Sequence, residues 1–135
     1  MEKTLVLIKP DGVERKLVGK IISFYEERNL NIIALKMVKA DRITAEKHYE
    51  EHKGRPYFEN LINYIVEGNM YAMVLEGQDV IEAVRKINGD KDPLKVDMGS
   101  IRGKYSNHKT RNLVHASDSQ ENAEREINIW FNNGI

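Results

Sequence analysis

The chain has 135 residues and a mass of 15.6 kDa, which suits one domain built around a single hydrophobic core. Its 21 basic and 21 acidic residues balance, and hydrophobic residues make up 41%, so the composition is globular rather than disordered. The absence of cysteine excludes a disulfide framework, thiol catalysis and cysteine-ligated metals. A net charge of zero argues against nucleic acid as the main partner, because a broad basic surface is what binds its phosphates.

The apolar segments of the chain are short. Residues 5–8 form an apolar run that stops at Lys9 and Pro10, which is too short for the core of a secretory signal. No segment approaches the ~18 consecutive apolar residues that a membrane span needs. We therefore predict a cytoplasmic protein without a membrane partner, in which residues 1–135 form a single domain.

The charges are unevenly distributed along the chain. Residues 1–40, 41–84, 85–111 and 112–135 carry net charges of +3, −5, +5 and −3, which cancel. Alternating blocks of this kind usually pair with one another in the fold or cover its surface, and the counts alone favour that interpretation. The alternative is that the basic block at 85–111 lines an anion site.

The first part of the chain predicts a strand, a helix and a second strand. Residues 3–9 resemble a mostly buried strand that ends at the turn sequence Pro10-Asp11-Gly12, so Lys9 lies at the end of the strand. Apolar residues then recur at helical spacing from Leu17 to Tyr25. Residues 32–38 predict the second strand.

The middle of the chain predicts helices around one strand. The acidic segment 41–53 suits a short helix that faces solvent, and Gly54-Arg55-Pro56 interrupts it. Beyond Pro56 the apolar spacing predicts a helix, a strand and a further helix, over residues 57–66, 70–75 and 80–87.

Residues 89–111 show no sustained periodicity. The segment contains three glycines and one proline, and a loop of more than ~15 residues inside a compact domain is usually functional or disordered. After it, residues 113–116 predict a short strand whose alternation places Leu113 and His115 on the same face. A helix then begins with a capping-box pattern from Ser117 to Gln120.

The predicted order is strand, helix, strand, helices, strand, helix, strand, helix. Without the last helix this is the βαββαβ order of an α+β, ferredoxin-like domain, in which one antiparallel sheet carries helices on one face. Many unrelated functions share this fold, so the function has to be inferred from a site.

The segment 112–118, Asn-Leu-Val-His-Ala-Ser-Asp, carries the strongest candidate for chemistry. A lone histidine is more often structural than catalytic, but His115 lies near a strand end and just before a helix N-terminus, which favours an anion close by. The preceding segment supplies cations: Lys91, Lys95, Arg102, Lys104, Lys109 and Arg111. This setting indicates a nucleophilic or acid–base histidine that faces a phosphate-sized anion.

A nucleophilic histidine needs an acceptor that fixes one ring nitrogen as a donor and leaves the other free. Glu126 on the following helix is the candidate, although spacing alone does not distinguish it from Glu121 or Glu124. The other histidines lie in polar stretches and are weaker candidates for chemistry: His48, His52 and His108.

The segment NLVHASDS, with TLVLIKPDG, GRPYF and GSIRG upstream, resembles the nucleoside diphosphate kinases. These motifs occur in the order found in that family, and the resemblance covers residues 3–131. It implies a ping-pong phosphotransferase that moves the γ-phosphoryl group of ATP, or of another nucleoside triphosphate, to a nucleoside diphosphate through a phosphohistidine. Such an enzyme maintains the pools of nucleoside triphosphates.

The resemblance also implies roles for individual residues. His115 takes the position of the nucleophile, Glu126 that of the residue that orients it, and Ser117 that of a hydroxyl close to both. Mg²⁺ is implied as the cofactor, bridging the β- and γ-phosphates, and Asp118 touches it through water.

The residues implied to bind the nucleotide come from several parts of the chain. Lys9 and Asn112 match positions that contact the ribose hydroxyls, and Lys9 also reaches the transferred phosphate. Arg85 and Arg102 match the arginines that hold phosphates, and Tyr49 matches a tyrosine near the γ-phosphate. Arginine suits this role because its planar fork binds phosphate through two parallel hydrogen bonds.

Two positions depart from the family pattern. Tyr57 replaces the usual phenylalanine that stacks on the base, and its hydroxyl needs water or a partner. Lys91 replaces a threonine that usually bonds the β-phosphate, and the sequence leaves open whether its side chain contacts that phosphate or points into solvent.

Other functions remain to be weighed against the kinase. A ferredoxin-like RNA-binding module has the same sheet order but stacks bases on aromatic residues of its central strands; residues 3–9 contain none, and the third strand has only Tyr71. An inactive scaffolding relative is disfavoured because the residues that match the catalytic core are present. The resemblance further implies a homo-oligomer, a hexamer or a tetramer.

Overall fold

A computed structural model gives the structure of the chain and describes residues 1–132. In this range four strands form one sheet: β1 (Glu2–Ile8), β2 (Asn31–Val38), β3 (Met70–Gly77) and β4 (Val114–Ala116). All four predicted strands are present, with boundaries that differ from the predicted ones by no more than two residues.

Seven α-helices and one 3₁₀-helix accompany the strands in the described range: α1 (Pro10–Glu14), α2 (Val18–Glu27), α3 (Arg42–His48), the 3₁₀-helix (Glu50–His52), α4 (Phe58–Val66), α5 (Val80–Asn88), α6 (Ile101–Tyr105) and α7 (Gln120–Trp130). Helix α1 occupies the predicted turn, because Pro10 at its first position already has the backbone angle that a helix needs. Within residues 1–132 no helix has both the length and the apolar character to cross a bilayer.

The sheet has the strand order β2-β3-β1-β4, and every pair of neighbours is antiparallel. Strand β1 lies inside the sheet. It pairs with β3 along its whole length, from Glu2 opposite Gly77 to Ile8 opposite Tyr71. On its other side it pairs with β4, where Leu7 lies opposite His115. This is the predicted ferredoxin-like arrangement.

Helices cover both faces of the sheet, which corrects the prediction of helices on one face. Leu5 and Leu7 of β1 pack into a cluster with residues of α3, α4 and α7. Val6 and Ile8 point the opposite way and pack with residues of α2 and α5. All four side chains are fully buried, as expected of a strand that is a continuous apolar run rather than an alternating one.

The segment 89–111 is ordered around helix α6, which the sequence did not predict. Ser100 caps this helix, its hydroxyl accepting a hydrogen bond from the Gly103 amide at 3.0 Å. Gly89 ends α5 with a φ of 89°, and a Cβ there would collide with Ser100 Oγ. A helix of one turn leaves too short a pattern to be recognised by periodicity.

Two predictions close to His115 are wrong. Helix α7 is capped by Ser119, whose hydroxyl accepts from the Asn122 amide at 3.1 Å, and not by Ser117. Leu113 is not a strand residue, because it has a φ of 78° and the Val114 amide donates to the Asn112 carbonyl at 2.9 Å, which makes Leu113 the centre of a γ-turn. The turn breaks the alternation, so Leu113 packs with Val114 on the α2 and α5 face, away from His115.

Candidate active site

His115 lies in the middle of β4, on the sheet face covered by α3, α4 and α7. It pairs with Leu7, which belongs to the apolar cluster on that face. The His115 side chain is 21% exposed, so the ring is held by protein on most sides and stays accessible on the rest.

Glu126 and Ser117 hold the His115 ring. Glu126 Oε1 lies 2.8 Å from His115 Nε2 and accepts a hydrogen bond from Ser117 Oγ, also at 2.8 Å. Ser117 Oγ in turn accepts from the Leu5 amide at 3.3 Å. A carboxylate only accepts hydrogen bonds, so Nε2 carries the ring proton and Nδ1 keeps its lone pair. Within residues 1–132 Nδ1 has no hydrogen-bond partner, which leaves it available to an electrophile.

Of the three glutamates that spacing left open, Glu126 is the one that helix α7 directs toward His115. Glu126 is 4% exposed and lies on the buried side of α7 with Ile127 and Trp130. Glu121 and Glu124 are exposed on the opposite side. Because side chains in a helix repeat about every 3.6 residues, only Glu126 of the three glutamates faces β4.

The His115 ring is neutral at rest. Burial keeps its pKa well below the usual value, and the nearby charges of Lys9, Lys91 and Arg102 act in the same direction. Burial also raises the pKa of Glu126, against the opposing effect of the Ser117 hydrogen bond. A neutral imidazole with a free Nδ1 is the nucleophilic form of histidine.

Bonds from Lys9 and Asp11 fix the backbone before His115. The Lys9 amide donates to the Leu113 carbonyl at 2.8 Å, and Asp11 Oδ2 accepts from the Leu113 amide at 3.2 Å. The Tyr64 hydroxyl donates to the other oxygen of Asp11. A positive φ is unfavourable for leucine and has to be stabilised by neighbouring groups. Here the hydrogen bonds to the Leu113 amide and carbonyl stabilise it.

Two buried cations, Lys9 and Arg102, share the side chain of Asn112. Lys9 Nζ donates to Asn112 Oδ1 at 3.0 Å, and Arg102 Nη2 donates to the same oxygen at 3.4 Å. Burial, with Arg102 and Lys91 nearby, lowers the pKa of Lys9 to about 7. One neutral oxygen does not balance two positive charges, so this part of the site favours an anion.

Arg102 is held by backbone carbonyls from two directions. Nη1 donates to Gly89 O at 2.7 Å, at the end of α5, and Nη2 donates to Val114 O at 2.5 Å. Nε donates to Asn112 O at 3.3 Å. Because Val114 precedes His115, the guanidinium joins the start of the 89–111 segment to the strand that carries the histidine.

Arg85, Lys91 and Asp118 lie on the solvent side of this group. Arg85 is exposed in the last turn of α5, and Lys91 is exposed at the start of the 89–111 segment. The charge of Lys91 lowers the pKa values of both Lys9 and His115, so it acts within the site. A hydrogen bond from Asn122 Nδ2, at 2.7 Å, is the main cause that lowers the pKa of Asp118, and Arg85 adds to it.

The two tyrosines singled out in the sequence occupy different environments. Tyr49 is buried directly after α3, and burial raises its pKa, so its hydroxyl keeps its proton. Tyr57 is 44% exposed before α4, with its hydroxyl 2.8 Å from His52 Nδ1. The hydroxyl by which Tyr57 departs from the family pattern thus has a partner, and part of its side chain stays accessible.

His48 is the residue of this region that sequence reasoning missed. It was a weak candidate because its neighbours in sequence are polar, yet it is 3% exposed and its ring centroid lies 4.4 Å from that of His115. Trp130 Nε1 donates to His48 Nδ1 at 3.1 Å. A sequence signal that could have pointed to it is its place directly before Tyr49, which the family resemblance puts near the γ-phosphate.

Comparison with known proteins agrees with this geometry. Residues 2–134 match the family model described as nucleoside diphosphate kinase. A nucleoside diphosphate kinase from Sulfurisphaera tokodaii is 53% identical over 97% of this chain and 89% of its own length. One from Saccharolobus solfataricus is 52% identical, over 96% of this chain and 94% of its own.

Solved structures give the same result. The crystal structure of nucleoside diphosphate kinase from Encephalitozoon cuniculi superposes with a TM-score of 0.96 at 37% identity, covering 98% of this chain and 90% of that one. A nucleoside diphosphate kinase family protein from Babesia bovis gives 0.94 at 39% identity, covering 98% and 89%. The chain therefore belongs to the nucleoside diphosphate kinase family and is an enzyme with that activity, which acts on nucleoside di- and triphosphates.

Proposed function

We propose that His115 Nδ1 is the nucleophile that carries the phosphoryl group from one nucleotide to the next. The observation that supports this most is the 2.8 Å contact between His115 Nε2 and Glu126 Oε1, which leaves Nδ1 as the free nitrogen. The proposal assigns Glu126 the orientation of the ring, and Ser117 the orientation of Glu126.

The reaction consists of two displacements at phosphorus. In the first, the Nδ1 lone pair bonds to the γ-phosphorus of the triphosphate, the bond from that phosphorus to the bridging oxygen breaks, and the diphosphate leaves with the electron pair. In the second, a terminal β-phosphate oxygen of another diphosphate bonds to the phosphorus, and the N–P bond returns its pair to Nδ1. His115 Nε2 keeps its proton throughout, and Glu126 stabilises the positive charge that the phosphorylated ring acquires.

The cations supply the electrostatic part of catalysis. Phosphoryl transfer spreads negative charge over the moving group, so fixed positive charges and in-line placement account for most of the rate. Lys9 is proposed to contact the transferred phosphate, with the Tyr49 hydroxyl donating nearby. Arg85, Arg102 and Lys91 are proposed to hold the remaining phosphates; for Lys91 the support is that its charge acts on Lys9 and His115.

Kinases of this family use a divalent metal ion with the nucleotide, and we propose Mg²⁺. Asp118 fits this ion because its carboxylate is held ionised by Asn122 and is only partly buried. One carboxylate suits an ion that stays bound to phosphate oxygens and to water, as Mg²⁺ does. When bound, the ion neutralises charge on the β- and γ-phosphates; Asp118 is proposed to contact its water shell.

The base and the ribose are proposed to contact different residues of the protein. The Tyr57 ring is partly exposed and offers a stacking surface, which accepts any base because every base has a π-face. Asn112 and Lys9 are proposed to bond the ribose hydroxyls. The bond between Lys9 Nζ and Asn112 Oδ1 holds both side chains in place before nucleotide arrives.

Sequential labelling tests the proposal. The protein is incubated with γ-labelled ATP, the phosphoprotein is measured, and GDP is then added and labelled GTP is measured. We expect a phosphoprotein that is labile in acid and stable in base, and transfer of the label to GDP. His115→Ala should abolish both signals, while His108→Ala, an exposed histidine of the 89–111 segment, should leave them intact. If His115→Ala still formed the phosphoprotein, the nucleophile would be another residue.

Assembly and location are further parts of the proposal. We propose a homo-oligomer, a tetramer or a hexamer, supported by the exposed apolar side chains Ile33, Leu35 and Met37 on the edge strand β2. Light scattering should give a mass four or six times that of the chain. A single domain over residues 1–135 and a cytoplasmic location remain predictions, the second tested by cell fractionation.

A further inference from the structure

His48 and His115 form a pair of imidazole rings in edge-to-face contact, and the two rings are held by different hydrogen bonds. Their ring centroids are 4.4 Å apart with an interplanar angle of 78°, an edge-to-face contact. His48 is 3% exposed, so its ring is held by the surrounding protein, and the His115 ring packs against it.

The hydrogen bond from Trp130 determines where the His48 proton is. An indole N–H only donates, so His48 Nδ1, at 3.1 Å, is the acceptor and carries no proton. Burial and the neighbouring His115 keep the pKa of His48 well below its usual value, so the ring holds one proton, which lies on Nε2. Trp130 therefore fixes one tautomer of His48.

This tautomer also decides against a metal centre. His48, His115 and Glu126 each offer a ligand atom within 4.8 Å of the others, and two histidines with a carboxylate are a donor set that Zn²⁺ accepts. A metal needs a ring lone pair from each histidine. His48 has no free lone pair, because its Nδ1 accepts from Trp130, and Oε1 of Glu126 is engaged with His115 Nε2 and with Ser117, so only Nδ1 of His115 keeps a free lone pair in this cluster.

Helix α7 holds the backbone of His48 as well as its ring. Arg125 Nη1 donates to the Lys47 carbonyl at 2.9 Å, and Nη2 lies 3.5 Å from the His48 carbonyl and 3.6 Å from Glu126 Oε2. Trp130 and Glu126 are on the same helix. One helix therefore sets two neighbours of His115: Glu126, which binds Nε2, and His48, which packs against the ring.

We propose that His48, locked by Trp130 as the Nε2–H tautomer, is a positioning residue that holds the His115 ring in its phosphate-accepting orientation. This inference rests on the proposed role of His115 as nucleophile. Glu126 limits translation of the ring through a single hydrogen bond, about which the ring is still free to tilt. The edge-to-face contact with a neutral, immobile His48 limits that tilt without adding a second positive charge.

The tautomer is tested by ¹⁵N-detected imidazole spectra, in which a nitrogen with a lone pair resonates far downfield of one that carries a proton. We expect His48 in the wild-type protein to show Nδ1 as the lone-pair nitrogen and Nε2 as the N–H. In Trp130→Phe, which keeps an aromatic ring and removes the donor, we expect signals averaged between the two tautomers. A wild-type His48 protonated on Nδ1 would overturn the proposal, whatever the activity.

The positioning role is tested by the rate of His115 phosphorylation in a single turnover with ATP. Trp130→Phe and His48→Leu should each lower this rate roughly tenfold, because small misplacements of a nucleophile have large effects. Since Trp130 acts through His48, the double variant should be no slower than His48→Leu alone. Additive losses would show that the two residues act independently and would refute the proposal.

Two controls separate positioning from folding and from the proposed function. Ile62→Val removes one methyl group from the apolar cluster that also contains Trp130, while both His48 and Trp130 are kept, and it should leave the phosphorylation rate and the His48 spectrum unchanged. His48→Asn keeps an acceptor for Trp130 and should retain a folded protein if His48→Leu unfolds; we expect its rate to be reduced at wild-type ATP affinity. If wild-type protein forms no phosphohistidine, the proposed function fails while the tautomer result stands on its own.

Discussion

The two halves of the site are stabilised in opposite ways. The histidine group, defined as His115, Ser117 and Glu126, is held by hydrogen bonds among its own members, with two contacts of 2.8 Å to Glu126 Oε1 and only Nδ1 of His115 left free in the described part of the chain. The cation group, defined as Lys9, Arg85, Lys91 and Arg102, repels itself, and this repulsion contributes to a lysine pKa of about 7. The histidine group is thus complete without substrate, whereas the cation group is completed only by an anion.

This difference follows from the elements that carry the two groups. The histidine group lies on β4, on the start of the turn after it and on α7, where sheet pairing and helical packing fix each side chain. The cation group comes from element ends and from the 89–111 segment, and two of its members, Lys9 and Arg102, are held by Asn112 and by backbone carbonyl oxygens. Orientation and charge are therefore separable properties, which substitutions affect differently.

Glu126→Ala should have the largest effect, because it removes the one acceptor that sets the His115 tautomer. We expect the single-turnover phosphorylation rate to fall on the order of a thousandfold, as when a catalytic histidine loses its orienting carboxylate. ATP affinity should change little, since the cation group is untouched. Glu124→Ala, on the exposed side of the same helix, is the matched control and should behave as wild type.

Arg102→Lys should come next, because it keeps the charge but loses the fork that binds Gly89, Asn112 and Val114. We expect phosphorylation to fall roughly tenfold to a hundredfold and the free energy of unfolding to fall by about 2 kcal/mol. Urea unfolding and single-turnover kinetics measure the two effects. Arg42→Lys, which breaks a pair with Glu59 at the surface, should leave the kinetics intact. An Arg102→Lys variant of wild-type stability would show that the carbonyl contacts contribute nothing.

Lys9 should make nucleotide binding depend on pH. The free protein has a Lys9 pKa of about 7, lowered by burial and by neighbouring cations, and a bound phosphate must raise it. Below pH 7 Lys9 is charged in both states, so it adds no pH dependence. Above pH 7 binding requires uptake of a proton, and ADP affinity should fall by up to about tenfold per pH unit until the bound-state pKa is reached.

Calorimetry in buffers of different ionisation enthalpy measures that proton uptake. Lys9→Arg keeps the charge at all these pH values and should remove the Lys9 contribution to both the uptake and the pH dependence. Uptake that persists unchanged in this variant would place the titrating group elsewhere, for example on Lys91, whose pKa is also lowered, first by burial.

Tyr57→Phe should have the smallest effect and belongs to neither group. It removes the hydroxyl that contacts His52 but keeps the ring, so the turnover of ADP, GDP, CDP and UDP should stay close to wild type. The free energy of unfolding should change by less than about 0.5 kcal/mol, because the contact is at the surface. Loss of one nucleotide alone would mean that the hydroxyl selects the base.

The comparison of the two groups also shows how far sequence reasoning reached. His115 and its strand were predictable because β4 is apolar, ends before a helix and follows a basic segment. Several cations were predictable as a charged block, although the counts favoured a surface role for it. The convergence of Lys9 and Arg102 on Asn112 was not, because Lys9 lies about a hundred residues before Asn112 in the chain.

Local pattern failed where long-range contacts override it. The γ-turn at Leu113 contradicts strand alternation, and it exists because Lys9 and Asp11, about a hundred residues earlier, bond its backbone. His48 looked like a polar surface residue, yet Trp130 from α7 binds it inside the protein. Neither contact can be inferred from the hydrophobic periodicity of the neighbouring residues, because its partner lies 80 or more positions away in the chain.

The amino-acid sequence by itself determined the order of the four strands and of the longer helices, the ferredoxin-like sheet and the histidine most suited to phosphoryl transfer. These depend on spacing, turn residues and a specific local motif, which act over short stretches of chain. The tertiary structure decided which glutamate meets His115, which ring nitrogen is free and how helices cover both faces of the sheet. Those properties depend on distances between residues remote in sequence, and packing alone sets such distances.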